Sequence, residues 1–157
     1  MLTEAIYSKA MEAEQCKKIE QLLSKLGDVH GTVLDIGSGP GFLERYIDCI
    51  ALDSSLKHLK EFEGNRILGD GNSLPFKSGG ADWIFCMDTI HLLSLEFWKE
   101  LKRVLKPEGK AVISIFSSRL EKLKPTGFDI VKEFEVSGEK ERDIVVVLEE
   151  NRRLLQH

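Results

Sequence analysis

Apolar residues recur along the chain in two different spacings, which together predict an alternation of helices and strands. Between residues 3 and 26 they fall three or four positions apart, as on one side of a helix, and Gly27 follows as a stop. Short apolar runs predict buried strands at residues 32–36, 50–52, 66–68, 82–87 and 110–116. Further helices are predicted at 40–47, from Ser54 or Ser55 through Phe62, and at 95–105.

The order of these elements predicts the fold class. Strands that alternate with helices build a parallel sheet with helices on both faces. The strand-like runs at 128–136 and 142–149 are separated only by the polar segment SGEKE, which suits an antiparallel hairpin. We therefore expect an α/β fold with a Rossmann-like, doubly wound, seven-stranded sheet, mostly parallel with an antiparallel terminal hairpin. A single domain is expected over residues 1–157, with an N-terminal cap helix in 1–28.

Composition and charge narrow the classes of partner. The 157 residues are 42% hydrophobic, which is enough for one core, and no apolar run is long enough to span a membrane. The first residues lack the pattern of a secretion signal, so we expect a cytoplasmic protein. A net charge of -4 disfavours nucleic acid as the default partner. Cys16, Cys49 and Cys86 lack metal or redox spacing, so we expect reduced, mostly buried thiols and no metal site.

The segment VLDIGSGPGFLERY, residues 33–46, carries the first candidate site. Gly37, Gly39 and Gly41 form a turn between the first strand and the next predicted helix. The dinucleotide fingerprint G-x-G-x-x-G requires glycine at position 42, where this chain has Phe42. A turn leading into a helix N-terminus favours an anion, and a carboxylate serves as well as a phosphate. The alternative is a tight turn without a ligand.

Acidic residues follow the next two strands. Asp53 ends the second strand, 14 residues after Gly39, where an acid in this architecture accepts hydrogen bonds from a ribose diol, unless it only caps the following helix. Asp70 lies in GDGNSLPF after the third strand, where it could accept from an adenine amine, unless this is an ordinary turn. All these loops follow the carboxyl ends of neighbouring strands, which is where ligands bind in doubly wound sheets.

Five segments in register carry a family resemblance. They are VLDIGSGPG, ALDSS, GDGNSLPF, DWIFCMDTIHLL and LKRVLKPEGKAVISIF, over roughly residues 30 to 117. Their combination resembles class I S-adenosylmethionine-dependent methyltransferases, most closely the small type 11 group that includes the ubiquinone and menaquinone methyltransferases. The resemblance implies S-adenosyl-L-methionine as cofactor and S-adenosyl-L-homocysteine as product. It implies a cofactor site formed by Asp35, Gly37, Ser38, Gly39, Gly41, Asp53, Ser54, Asp70, Gly71, Asn72 and Asp88.

The same resemblance implies a place for each part of the cofactor. Asp35 and the glycine turn would face the methionine portion, and Asp53 would bind the ribose hydroxyls. Asp70, with the backbone around residues 71–72, would recognise the adenine, and Asp88 would lie by the methionine end. A general base is needed only when the acceptor loses a proton, and Asp88 and His91 are the candidates. The alternative for His91 is local packing or capping.

The methyl acceptor stays open between a small molecule, a protein and an RNA. No N/D-P-P-Y/F motif follows the fourth strand, which disfavours base amines and glutamine amides. Residues 117–127 are few, so we expect a short lid and an open acceptor site, which a homo-oligomer or a partner chain could complete. Arg119, Lys122 and Lys124 could attract an acidic acceptor there, although a solvated turn is the simpler interpretation.

Two rival functions follow from the same residues. A non-catalytic or partner-activated subunit would keep the cofactor-binding acids without turning over. A nicotinamide-binding oxidoreductase would share the fold, but Phe42 argues against it. We expect no membrane partner for this protein.

Overall fold

The computed structural model describes residues 4–151, which form one seven-stranded sheet with helices against it. The start of the first predicted helix at residue 3 and both ends of the predicted domain lie outside the described residues. The strands are β1 Val33–Ile36, β2 Ile50–Asp53, β3 Arg66–Leu68, β4 Ala81–Met87, β5 Leu105–Phe116, β6 Phe128–Ser137 and β7 Arg142–Glu150. The helices are α1 Glu4–Leu26, α2 Leu56–Leu59 and α3 Leu95–Val104.

The strand order confirms the predicted fold class. The sheet runs β3-β2-β1-β4-β5-β7-β6, and the first five strands in this order are parallel. Strand β7 lies antiparallel between β5 and β6, as the predicted hairpin requires. From β1 the chain continues to β2 and β3 on one side of the sheet, and from β4 it continues to β5 on the other side. The strand order therefore changes direction between the neighbouring strands β1 and β4. Such a switch point opens a crevice at the carboxyl ends of the strands.

Each face of the sheet packs against one long helix. On one face, Ile19 and Leu22 of α1 join Val33, Phe85 and Val145 of the strands in a buried cluster. On the other face, α3 buries its apolar side in a second cluster, whose helical members are Phe97, Trp98, Leu101 and Val104. The amphipathic spacing of both helices therefore confirms the prediction of helices on both faces. Within residues 4–151, no helix is both long and apolar enough to cross a lipid bilayer.

Three predicted elements differ in the structure. The helix predicted from Ser54 or Ser55 through Phe62 spans only Leu56–Leu59. The helix predicted at 40–47 is wrong: only a 3₁₀ turn at Leu43–Arg45 forms there, because Gly39 and Gly41 have φ of 56° and 83°, outside the helical region. Strand β5 starts at Leu105 rather than at residue 110. The pairing of Ala81 with Leu105 is followed directly by that of Trp83 with Lys110, so the intervening residues form an irregularity in the strand.

Candidate functional site

The glycine turn after β1 is built from three left-handed residues. Gly37, Gly39 and Gly41 have φ of 75°, 56° and 83°. A Cβ on Gly37 would lie 2.5 Å from the Thr89 side chain, and one on Gly41 would collide with the Phe62 ring. A Cβ on Gly39 would meet no atom within 4 Å. The first and third glycines are therefore required by the neighbouring side chains, whereas Gly39 borders open space.

The backbone amides of this turn are used within the chain. The N–H groups of Gly37 and Ser38 donate to the Leu52 carbonyl at 2.8 and 3.1 Å, and Gly41 donates to the Ser38 carbonyl at 3.2 Å. The Gly39 N–H donates to Asp53 Oδ2 at 2.8 Å. Because no regular helix follows, the turn does not present the helix N-terminus that we expected to bind an anion.

Asp53 ties the turn to the end of β2 and keeps unused acceptor capacity. Besides the bond from Gly39, its Oδ1 accepts from the Ser55 N–H at 2.8 Å, and His58 Nδ1 lies 3.7 Å from the same oxygen. The helix cap itself is Ser55, whose hydroxyl accepts from the His58 N–H. A carboxylate offers about four acceptor positions, so two stay available for hydroxyl groups of a ligand.

The loop after β3 is ordered by side-chain bonds. Asp70 Oδ1 accepts from the Asn72 N–H at 2.8 Å, which forms a tight turn, and the Asp70 side chain is exposed. Asn72 Oδ1 accepts from both the N–H and the hydroxyl of Ser94, at 2.9 and 3.0 Å. The Asn72 side chain therefore anchors the start of α3, and Asp70 is the acid of this loop that stays accessible to a ligand.

Asp35 lies beneath the glycine turn in an unusually acidic environment. It is only 3% exposed. Burial raises its pKa well above the ordinary value, and the charge and hydrogen bond of Glu44 and the charge of Asp53 add to this. Both Glu44 carboxylate oxygens are buried, and they have no donor while Asp35 and Glu44 are both ionised, so the bond between the two acids requires a proton. This region therefore favours a positively charged group over an anion.

Asp88 and His91, the candidate general bases, occupy different positions. Asp88 follows β4 with φ of 52°, unusual for a residue with a side chain, and both of its carboxylate oxygens are buried without a partner. His91 lies in a 3₁₀ turn at Ile90–Leu92. Its pKa is lowered by burial and by the charges of Arg119 and Lys122, so its ring is neutral at pH 7.

Two cavities meet at the glycine turn and fall within the size range of small-ligand sites. The larger, of about 450 Å³, lies between α1 and the turn and reaches Met87 and Asp88. The smaller, of about 390 Å³, lies at the ends of β2 and β3 and is also lined by Leu92 and Leu93. Gly37, Gly39 and His58 line both cavities, so they are two parts of one crevice.

The cavities gather most of the residues predicted from the sequence. The larger is lined by Asp35, Gly37, Ser38, Gly39 and Asp88. The smaller is lined by Gly37, Gly39, Asp53, Ser54, Asp70, Gly71 and Asn72. Among the described residues, Gly41 and His91 line neither cavity, because Gly41 packs against Phe62 and His91 belongs to the next turn. Within 4–151, no group of three or more His, Cys, Asp or Glu side chains is placed to hold a metal.

Sequence reasoning missed three parts of this crevice. Met11 and Gln15 of α1 line the larger cavity, and their helical spacing gave no sign of a ligand. His58 was assigned no role, although it lies beside Asp53. His58 follows Asp53 by five positions and lies in the first turn of a helix capped by Ser55, and this placement could have indicated that it belongs to the site. The cysteines are free, with Cys49 and Cys86 buried and Cys16 partly so, as expected.

Comparisons with known proteins agree with this architecture. The family model described as a methyltransferase domain matches residues 34–113, just over half of the chain. The biotin biosynthesis bifunctional protein BioHC of Cellvibrio japonicus is 35% identical over 96 residues, which cover 52% of this chain and 19% of that protein. The chain thus spans about a fifth of the length of this curated relative.

Solved structures share the fold over nearly the whole chain. An S-adenosylmethionine-dependent methyltransferase from Aquifex aeolicus matches with a TM-score of 0.71 and 23% identity, covering 88% of this chain and 91% of that one. A chain from the complex between the Haloferax volcanii Trm112 methyltransferase activator and a methyltransferase matches with a TM-score of 0.73 and 16% identity, covering 91% and 93%.

The sheet order and the family match are those of S-adenosylmethionine-dependent methyltransferases, a class whose cofactor is S-adenosylmethionine. The match over residues 34–113 then places this chain in the methyltransferase domain family.

Proposed function

We propose that this chain transfers the methyl group of S-adenosylmethionine to an acceptor, with adenosine in the smaller cavity and methionine in the larger. The observation that carries the proposal is the arrangement of Asp53 and Asp70 around one cavity that is joined, through Gly37 and Gly39, to a second cavity walled by buried carboxylates. A nucleoside and a cationic amino-acid group on one ligand match these two environments.

The adenosine end is supported by the polar groups of the smaller cavity. Asp53 keeps two acceptor positions for the ribose hydroxyls, and Ser54 lies next to it. Asp70 is the accessible acceptor for an adenine amine, beside the backbone of Gly71 and Asn72. Leu92 and Leu93 offer apolar contact to a purine face.

The methionine end is supported by charge rather than by free backbone amides. S-adenosylmethionine supplies an activated methyl group on a positive sulfonium and carries an ammonium group. Asp35, Glu44 and Asp88 place carboxyl groups in or next to the larger cavity, two of them with unpartnered buried oxygens. A cation beside a buried carboxylate offsets part of the cost of burying its charge.

Asp88 is our first candidate for the general base, and His91 is the second. Asp88 lines the larger cavity directly, so it can meet an acceptor held there. His91 is neutral at pH 7, as a base must be, but reaches an acceptor only if that acceptor extends beyond the cavity toward Arg119. When the acceptor has no proton to lose, positioning alone supplies most of the rate.

The acceptor side is proposed to be open. Between β5 and β6 the chain forms only a 3₁₀ segment at Ser117–Lys122 and a short extended stretch, in which Arg119 packs over the Phe116 ring. An acceptor too large for a closed pocket, or a second chain that completes the lid, suits this edge. The similarity to a chain from an activator–methyltransferase complex supports partner activation as the second candidate function.

The first experiment is calorimetric titration with S-adenosylhomocysteine. We expect Asp53→Ala to weaken binding by about 1.5–3 kcal/mol, because a charged acceptor of the ribose is removed. Asp129→Ala, an exposed acid on β6, is the matched control and should bind as the wild type does. Binding of a nicotinamide dinucleotide but not of S-adenosylhomocysteine would overturn the proposal.

Turnover is tested separately with cofactor labelled in the methyl group. Cell fractions sorted by size into small molecules, RNA and protein are incubated with the enzyme, and uptake of label identifies the acceptor class. Binding without uptake in any fraction, followed by uptake once a copurifying chain is added, would favour the partner-activated subunit. Uptake by the purified chain alone would exclude it.

A further inference from the structure

Asp88 joins a buried charge network that the proposed transfer reaction does not explain. Its backbone N–H donates to the carbonyl and hydroxyl of Ser114, at 3.0 and 3.2 Å, which holds the residue in its left-handed conformation. The residue lines the larger cavity, both of its carboxylate oxygens are shielded from water, and its carboxyl group meets that of Asp143. Neither Asp88 oxygen has a hydrogen-bond donor while both acids are ionised.

Asp143 and Lys18 form the inner part of the network. Both side chains are 0% exposed, and Lys18 Nζ donates to Asp143 Oδ1 at 2.9 Å. Lys18 Nζ also lies 4.8 Å from the centre of the Phe116 ring and 4.0 Å from Glu141, which is half exposed. Asp143 Oδ2 is buried and has no donor. One cation therefore faces two buried carboxyl groups, contributed by three separate elements.

A single proton resolves this imbalance. Two ionised carboxylates can only accept hydrogen bonds, so their facing oxygens would repel each other in a site shielded from water. A protonated Asp88 donates to Asp143, whose other oxygen keeps its bond to Lys18. Burial, followed by the hydrogen bond and charge of Asp143 and the charge of Glu141, raises the pKa of Asp88 to about 8, against the opposing charge of Lys18.

We propose that Asp88 and Asp143 share one buried proton in the free protein, that the hydrogen bond from Lys18 holds the Asp143 carboxyl group in place for this sharing, and that the pair releases the proton to solvent when a sulfonium cation enters the larger cavity. The last part rests on the proposed function, because the sulfonium of S-adenosylmethionine is the cation in question and S-adenosylhomocysteine lacks it. Asp143 and Lys18 are thereby positioning residues for Asp88.

The release prepares Asp88 for the reaction. Once ionised, an Asp88 carboxylate oxygen can accept the proton that the acceptor loses as its new bond to the methyl group forms. The sulfonium charge disappears in the same event, so the pair returns to its singly protonated state. Proton and charge therefore balance over one cycle without a further base.

The shared proton is tested in the free protein by carbon-13 NMR titration of the aspartate side-chain carboxyls. We expect one carboxyl of the pair to stay protonated at pH 7 and to titrate near pH 8. In Asp143→Asn the amide can donate to an ionised Asp88, so no carboxyl of the pair should keep its proton at pH 7. Retention of the proton in this variant, or its absence in the wild type, would overturn the proposal.

The variant Lys18→Met tests whether the charge of Lys18 controls the shared proton or whether Lys18 only supports the structure. Without the ammonium group the pair should hold its proton more tightly, and the titration midpoint should rise by about one pH unit or more. A loosened site that admits water would move the midpoint down toward the ordinary aspartate value instead. Lys17→Met, an exposed neighbour on the same helix, is the matched control and should leave the midpoint unchanged.

Proton release is measured by calorimetry at pH 7 in buffers of different ionisation enthalpy. Binding of S-adenosylmethionine should release about one proton more than binding of S-adenosylhomocysteine, and Asp88→Asn should abolish the difference. If both ligands release the same number of protons, the proposed proton release on sulfonium binding is wrong, while the proposed function still stands. If neither ligand binds, the proposed function and the release fail together, and the titration of the free protein still decides the shared proton.

Discussion

At the residue scale, Gly39 differs from the other glycines of its turn because it borders the crevice and a Cβ placed on it would meet no atom within 4 Å. Alanine there has a left-handed φ of 56°, which costs about 1–2 kcal/mol, and a methyl group that projects into free space. Gly27 has a φ of 77° and equally open surroundings at the end of α1. Gly27→Ala is therefore a matched control for backbone strain without the cavity.

We expect both glycine variants to lose similar stability and only Gly39→Ala to lose cofactor affinity, by about tenfold or more. Chemical denaturation measures the first quantity and titration with S-adenosylhomocysteine measures the second. Equal affinities in the two variants would show that Gly39 borders no part of the cofactor site.

The site residues that can be predicted from sequence are those whose position relative to a neighbouring strand already indicates their role. Asp53 and Asp70 could be identified because Asp53 ends β2 and Asp70 lies two residues after β3, and the sheet topology brings the ends of neighbouring strands together. The pairing of Asp88 with Asp143 could not be found in this way. It joins residues 55 positions apart through the antiparallel insertion of β7, and no spacing in the sequence encodes that contact.

At the element scale, α1 is fastened to the β6–β7 hairpin by polar side chains spaced one turn apart. Glu14 accepts from the backbone N–H groups of Glu139 and Glu141 at 2.7 and 3.0 Å. Gln21 both donates to and accepts from the Ser137 backbone. Lys18 lies between them and bonds to Asp143. The helix that walls the larger cavity is thus held in place by the far end of the chain.

Glu14→Gln tests this attachment. The amide replaces one acceptor oxygen with a donor that faces backbone N–H groups, so we expect a loss of roughly 1–3 kcal/mol in the free energy of unfolding at pH 7. Glu63→Gln, on an exposed loop, should cost almost nothing. Denaturant titrations of the three proteins provide the comparison.

The same variant has a defined pH dependence. Burial raises the pKa of Glu14, but the backbone bonds from Glu141, Glu139 and Lys140 and the charge of Lys18 outweigh it, so the pKa is lowered. A carboxyl with a lowered pKa stabilises the fold above its unfolded pKa, and this contribution is lost as the pH falls through the folded value. The difference from Glu14→Gln should therefore shrink below about pH 4.5. A difference that stays constant would assign the loss to packing alone.

Helices were predicted correctly where the spacing of apolar residues determines the secondary structure. The prediction failed where a contact with a side chain distant in sequence determines it. The periodic apolar residues of α1 and α3 indicated both helices to within a few residues. Residues 40–47 carried a helical pattern, yet Gly41 lies against the Phe62 ring with φ of 83°, and the helix shortens to one 3₁₀ turn. That contact depends on the tertiary fold and overrides the local preference.

At the scale of the whole molecule, the crevice lies at the carboxyl ends of β1 and β4, where the connections that follow these two strands run in opposite directions along the sheet. The parallel strands contribute the acids at their carboxyl ends, and the terminal hairpin contributes Asp143 and the anchor for α1. Sequence alone predicted the first contribution. The second depends on the contact of α1, β4 and β7 around Asp88, which no spacing in the sequence indicates.

This arrangement predicts how ligand binding spreads through the molecule. A ligand in the larger cavity contacts α1, which is bonded to the β6–β7 hairpin through Glu14 and Gln21. At 100 times its dissociation constant, S-adenosylhomocysteine should add about 2.7 kcal/mol to the free energy of unfolding.

Hydrogen exchange should then slow in α1 and at residues 137–141 as well as in the loops that line the crevice, because opening the hairpin end releases the helix. In Glu14→Gln the added protection should stay in the crevice loops and be reduced at 137–141. Protection confined to those loops in the wild type would show that the hairpin and the crevice open independently.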